Sequence, residues 1–296
     1  MNAAELPSWR ETATTRSILE FVDAVTTAGS PDFVPEADRV AVFDNDGTLS
    51  SEMPMYTQLA FALVRAAELG KPTTVEELKA GGLGLVLELL QLTHGSVTTD
   101  EFAEAVRAWV AVAAHPVTGA PYPEMVFQPM VELVGALEVN GFDCWIFSGG
   151  GTDFMRAWAP TVFGVAPHRM IGSVGKIEFE DDGDDGPRLL KGSELVTLDD
   201  GPQKAISIHQ YIGQRPILAA GNTDGDLQML EWTAAGPHRS LQLAIHHTDA
   251  VREVAYDVDP LLGAGTDKLL DAAAAGAWSV VDMAADWATI FGGAGA

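Results

Sequence analysis

Basic residues are scarce in this chain. Its 17 lysines and arginines face 42 aspartates and glutamates, for a formal charge of −25. Nucleic acids and anionic membrane surfaces are recognised by basic patches, so neither is an expected partner. Cysteine is scarcer still. Cys144 stands alone, which excludes an internal disulfide and points to a reducing, cytoplasmic setting. The opening Met-Asn-Ala-Ala-Glu-Leu-Pro has no basic start and no apolar run behind it, so no signal peptide is expected. The apolar stretches fall short of a membrane span, and no internal repeat or low-complexity tract is present. What the chain does have is length, 296 residues, and a hydrophobic fraction of 47%, ample for one large domain or two smaller ones.

The organising stretch is Arg39-Val-Ala-Val-Phe-Asp-Asn-Asp-Gly-Thr-Leu49. Val40 to Phe43 are apolar, β-branched or aromatic, as in a strand buried on both faces of a parallel sheet. Asp44 and Asp46 stand at its carboxyl end, where open α/β sheets bind ligands. Adjacent buried acids are costly unless their charge is used. A divalent cation uses it through oxygen ligands, and a carboxylate can attack phosphorus. A plain Asn/Asp/Gly turn competes with this reading. A calcium loop does not: with Gly47 at its sixth position, Val42 would be first and Met53 twelfth.

Residues 8–28 read as an amphipathic helix with Ile18, Phe21, Val22 and Val25 at helical spacing, ended by Gly29 and Pro31. After the first strand come a break at Ser50–Pro54 and three helical patterns with no convincing strand. These cover about 55–69 (Leu59, Leu63 and Val64 on one side), 73–92 (capping box Thr73 to Glu76, interrupted at Gly81–Gly84) and 98–113 (box Thr98 to Glu101). Pro116 to Pro123 is a linker. Residues 53–125 thus read as an inserted helical subdomain between core segments 1–52 and 126–296. Alternation then resumes: helix 126–139, strand 142–147, a helix from Thr152, a hairpin of strands 169–180 and 188–198 around the turn at Asp181–Asp185, helix 202–213, strand 216–220, a helix behind Asp226, strand 240–245, helix 265–275 and strand 278–283. Strands alternating with helices predict an α/β fold with a doubly wound parallel sheet.

Four strand ends or helix starts carry polar groups. Asp44 and Asp46 end the first strand. Ser148, followed by Gly149 to Gly151 and a helix start, offers an anion a hydroxyl and free N–H groups. Lys204 lies in the first turn of its helix, where the dipole disfavours it. Asn222, Asp224 and Asp226 follow strand 216–220.

In this order, Phe-Asp44-Asn-Asp46-Gly-Thr-Leu, Phe-Ser148-Gly-Gly, Lys204 and Gly-Asn222-Thr-Asp224-Gly-Asp226-Leu-Gln-Met resemble the four motifs of haloacid dehalogenase superfamily phosphohydrolases, in the phosphoserine-phosphatase-like branch. The resemblance spans residues 39–245 and implies a Rossmann-like core with a helical cap inserted after the first motif. It also implies Mg²⁺-dependent hydrolysis of a small phosphomonoester. Asp44 would be the nucleophile that forms an aspartyl phosphate, and Asp46 the general acid and then base. Ser148, Gly149 and Lys204 would hold phosphate oxygens. Mg²⁺ would be held by Asp44, the Asp46 carbonyl and a fourth-motif group, with Asp226 steadying its waters. The family places Asp where this chain has Asn222, so Asn222 and Asp224 stay open as the ligand. Glu231 would suit the end of a calcium loop there, but Ala220 fails its start. Carbon–halogen hydrolysis is disfavoured, since members with that chemistry lack the second aspartate. Phosphotransfer on the same site and a catalytically silent phosphate-binding module are the alternatives. Glu52 lies near the position where phosphoserine phosphatases meet the substrate amine, though one residue early, because Met53 holds that place.

The remaining singled-out residues take blander readings. Cys144 is expected to be a packing residue. His246 and His247 lack a surrounding cluster at zinc spacing and read as a loop after a strand. Trp109, Trp158, Trp232, Trp278 and Trp287 read as core.

Overall fold

The computed structural model describes residues 1, 5–181, 186–259, 261 and 263–292. Within the anticipated turn at 181–185, residues 182–185 lie outside the described ones. The sheet has eight strands in the order β2-β5-β4-β3-β1-β6-β7-β8. They are β1 (Val40–Phe43), β2 (Val97–Thr98), β3 (Asp143–Gly151), β4 (Met170–Glu180), β5 (Arg188–Thr197), β6 (Leu218–Gly221), β7 (Leu241–His246) and β8 (Ser279–Asp282). From β4 through β8 all pairings are parallel. Beyond the β3 contact β4 forms an antiparallel hairpin with β5, and β2 adds antiparallel to that edge.

Side chains of β1 alternate between two cores, as a strand's two-residue period requires. Ala41 and Phe43 join the larger cluster with Ile18, Phe21, Val22 and Val25 of α1 (Ala13–Thr26) and Met130, Leu133 and Leu137 of α5 (Gln128–Val139). Val40 and Val42 face Ile208 of α8 (Pro202–Tyr211), Met229 and Leu230 of α9 (Leu227–Ala234), and Leu269 and Ala273 of α10 (Asp267–Gly276). Both faces of the sheet are therefore covered, the arrangement that makes a parallel sheet stable. Helix α1 begins later than its periodicity suggested, because the Thr12 hydroxyl accepts from Thr15 N and caps it, while Trp9 instead bridges to Trp287.

Between β1 and α5 lie α2 (Thr57–Glu68), α3 (Val75–His94), β2 and α4 (Thr99–Val110). The box on α3 is Thr74 with Glu77, one residue later than read. Consecutive threonines and glutamates at 73–77 allow either register, and the later one wins. The glycine interruption sits at Gly82, whose φ of 60° and ψ of −158° kink the helix. On α2 the buried face carries Leu59, Phe61, Ala62 and Ala66, and Val64 is exposed. The three helices do not share one core. Leu59, Ala62 and Ala66 pack with Leu78, Val86 and Leu89 of α3 and with Leu261. Phe102, Val106 and Val110 of α4 belong to the main cluster. No helix among the described residues is long and apolar enough to cross a membrane.

Candidate active site

At the end of β1, Asp44 N donates to Ala220 O at 2.9 Å, which fixes the residue beside β6. The chain then turns at Gly47 (φ +80°), where an added Cβ would lie 1.9 Å from Asn222 Nδ2. Only glycine fits there, for conformation and for space. Lys204 reaches over from the third residue of α8. Its ammonium pairs with Asp44 Oδ1 and, at 2.6 Å, with Asp226 Oδ1, and all three side chains are buried. The unfavoured position of a lysine at a helix start is thus offset by two carboxylates.

Strand β3 runs on through the serine and glycines, with a register shift between Ser148 and Gly151. Ser148 Oγ accepts from Gly150 N at 3.0 Å and lies 3.5 Å from Asp46 Oδ2. Gly151 N donates to Gln58 Oε1 of α2 at 2.8 Å. A Cβ on Gly149 would meet nothing within 4 Å, so its backbone faces open space. From the loop after β6, Asp226 Oδ2 accepts from Asn222 N (2.9 Å) and Thr223 N (3.1 Å). Asn222 Oδ1 accepts from Thr48, and Nδ2 donates to Glu52 Oε1 at 3.0 Å. Asp224 points elsewhere: its Oδ1 accepts from Leu269 N in the first turn of α10.

Asp44, Asp46, Glu52, Gly149, Lys204 and Thr223 share the lining of a cavity of about 150 Å³. Ser148 is buried beside Asp46 rather than on that lining. Several contributors were not foreseen. Tyr56 and Asp259 line the same cavity. Tyr256 donates to Glu52 Oε1. His247, read as a loop residue, is buried, with Nε2 2.8 Å from Gly47 O and Nδ1 3.2 Å from Glu253 Oε2. The paired histidines at the end of β7, His246 within it and His247 just past it, were the one available signal for this support. Cys144 is buried and free, as expected. Trp158 and Trp287 are buried; Trp109, Trp232 and Trp278 are partly buried against the cores.

Burial dominates the electrostatics. It raises the Asp44 carboxyl well above its ordinary range; Asp226 adds to this, and Lys204 opposes it. Burial lifts Asp46 to about 6, against hydrogen bonds from Asn45 and Ser148 and the charge of Lys204. Glu52 is also raised well above its usual value, chiefly by burial, despite the bond from Tyr256. Burial works against the charge on Lys204, but Asp226 and Asp44 together raise its affinity for its proton. Among the described lining residues five acids, Asp44, Asp46, Glu52, Asp200 and Asp259, face one cation, Lys204. That excess suits a further cation. The Asp44 carboxylate, the Asp46 main-chain carbonyl and the Asn222 amide oxygen, which accepts from Thr48, would supply an all-oxygen set of the kind hard divalent cations take. It contains a single carboxylate, and among the described residues no group of three or more His, Cys, Asp or Glu could hold a metal ion.

The profile of the haloacid dehalogenase-like hydrolases matches residues 41–231. No curated protein matches the sequence. Among solved structures, a conserved protein of unknown function from Anaerococcus prevotii DSM 20548 aligns at TM-score 0.60 with 15% identity, over 95% of this chain and 94% of that one. A protein of unknown function from Bordetella pertussis Tohama I aligns at 0.56 with 16% identity, over 83% and 98%. A phosphoserine phosphohydrolase-like protein from Francisella tularensis subsp. tularensis SCHU S4 aligns at 0.41 with 16% identity, over 71% and 88%.

Proposed function

The chain belongs to the haloacid dehalogenase-like hydrolases, and from that premise we propose that it hydrolyses a small phosphomonoester through an aspartyl phosphate on Asp44, with Mg²⁺ as cofactor. The observation that carries this reading is the convergence of Asp44, Asp46 and Lys204 on one cavity, with Ser148 from a third element directly behind Asp46. A module that only binds phosphate needs the lysine and serine but not both aspartates.

In this reading Asp44 attacks phosphorus and the ester P–O bond breaks. The leaving alkoxide takes its proton from Asp46, whose affinity near pH 6 leaves an acid form available close to neutrality. Asp46, now a carboxylate, takes a proton from water as that water attacks the phosphoaspartate. Inorganic phosphate leaves and Asp44 is restored. Ser148 Oγ, Gly149 N–H and the Lys204 ammonium bind the phosphoryl oxygens. Asp44, the Asp46 carbonyl and Asn222 would hold Mg²⁺, with Asp226 behind them, and its charge would neutralise that of the phosphoryl group. The order of the motifs supports the phosphoserine-phosphatase-like branch.

Residues 53–125 act as the cap over the core segments 1–52 and 126–296. Support comes from Leu83, Val86, Leu87 and Leu90 of α3, which line the cavity opposite the aspartates. Glu52, at the entrance to the cap, contacts the alcohol portion of the substrate. The buried, free Cys144 fits a reducing, cytoplasmic location.

The test is phosphate release from a panel of phosphomonoesters with the purified protein, in Mg²⁺ and in EDTA. Release that requires Mg²⁺ is expected. No release from any ester, or release undiminished in EDTA, would overturn the corresponding part of the proposal.

A further inference from the structure

A second cavity of about 90 Å³ adjoins the catalytic one. Gln58, Leu87, Leu90, Gly149 and Leu198 line both, so the Gly149 backbone lies at the junction. The outer wall is the β4–β5 hairpin, through Gly175, Lys191 and Leu195.

Four polar lining groups of this second cavity, Gln58, His94, Lys191 and Ser173, already have partners. Thr93 Oγ1 donates to Leu89 O and lies 2.8 Å from His94 Nδ1. Burial holds His94 neutral, with its proton affinity down at about 3. Its Nε2 is 3.0 Å from the Gln58 amide, whose other end accepts from Gly151 N. One consistent order of donors runs through these groups: the neutral ring donates through Nδ1 and accepts from Gln58 through Nε2. Lys191 is ion-paired with Asp153 and sits 4.7 Å over the ring of Phe102. Ser173 Oγ donates to Gly149 O and accepts from Asp199 N. The rest of the lining is mainly apolar, with Leu87, Leu90, Phe102, Phe154, Leu195 and Leu198, while Gln91, Ser193 and Glu194 are exposed polar residues at its edge.

We propose that this cavity, between α3, the Gly149–Gly151 segment and the β4–β5 hairpin, holds an apolar group of the substrate's alcohol. The substrate class is then a phosphomonoester whose alcohol carries an aliphatic or aromatic group a few bonds from the ester oxygen. The inference rests on the phosphomonoester reading. A phosphoryl group in the first cavity against the Gly149 N–H lies beside the junction, so an alcohol of that length can cross from one cavity to the other. A shorter alcohol stays in the first.

Ethyl phosphate and 3-phenylpropyl phosphate test this, since both leave as primary alkoxides and differ only in the apolar part. In Mg²⁺ the wild-type kcat/KM is expected to be about tenfold or more higher for the phenylpropyl ester, the scale of discrimination that pocket burial of an apolar group gives. Leu195→Trp fills the second cavity from the hairpin, and Gln91→Trp fills it from its exposed rim. Each is expected to remove the preference and leave ethyl phosphate unchanged. Equal wild-type kcat/KM for the two esters would overturn the inference, as would a preference that survives both filling variants. In either case ethyl phosphate turnover shows that the phosphomonoester reading stands. Absence of turnover on both esters sinks that reading, and this inference with it.

Discussion

Asn222 Nδ2 donates to Glu52 Oε1 across 3.0 Å, so the loop after β6 and the entrance to the helical insert are joined by one hydrogen bond. Tyr256 donates to the same oxygen, and Glu52 lines the cavity. A glutamine at 52 can keep Oε1 as the acceptor of both bonds while removing the charge. Glu52→Gln is therefore expected to lower kcat/KM on O-phosphoserine, which has an amine, by about tenfold, the scale of a charged hydrogen bond. On p-nitrophenyl phosphate, which has no such group, it should change little. Comparable losses on both esters would place Glu52 in the catalytic centre, and no loss on either would remove it from substrate contact.

Asp44→Asn should abolish turnover. An amide cannot form the acyl phosphate, and loss of a nucleophile commonly removes three or more orders of magnitude, roughly a thousandfold at least. Lys204 keeps its second partner, Asp226, so thermal unfolding should still be cooperative. Retention of most of the wild-type rate would show that another group attacks phosphorus.

The two fourth-motif candidates separate by experiment. Asn222→Ala should raise the Mg²⁺ concentration that gives half-maximal activity. Asp224→Ala should not, because its carboxylate is spent on Leu269 N; its effect should be a stability loss of about 1 kcal/mol, typical of a lost helix-start acceptor. A larger Mg²⁺ shift for Asp224→Ala would reverse the assignment.

His94 gives a stability signature against pH. Its folded affinity, at about 3, lies below the ordinary histidine value of 6.5 because burial disfavours the charged ring. Between those values the unfolded chain binds a proton that the folded chain does not. Stability is therefore fully present above pH 6.5 and is lost as pH falls toward 3. His94→Gln should flatten that part of the curve by up to about one proton's worth of slope. Urea unfolding at pH 7, 6, 5 and 4 measures it, and parallel curves for the two proteins would mean that His94 is free to protonate in the fold.

Much of the core was legible because strand ends and helix starts announce themselves locally. Val40–Phe43 is apolar on both faces, and the glycines after Ser148 and after Ala220 mark where backbone must turn or come close. Less visible were features that depend on a neighbour far along the chain. Strand β2 spans only Val97–Thr98 and exists because β5 offers it an edge. Val64 sits at helical spacing with Leu59 and Leu63, yet it is exposed. Tyr256, Glu253 and His247 act on residues some two hundred positions upstream, and no periodicity encodes that. Asn222 and Asp224 both offer an oxygen at the fourth motif in sequence. Only the position of α10 sends Asp224 away from Asp44.

Leu261 is buried with α2 and α3, while Tyr256 of the same loop is bonded to Glu52. The helical insert is consequently no self-contained cassette. Transplanted onto a sister scaffold with its own boundaries, it would arrive missing part of its interior, the Leu261 side chain. A working exchange of the insert has to cut twice, once around 53–125 and again around the loop that carries Leu261, and carry both pieces across together.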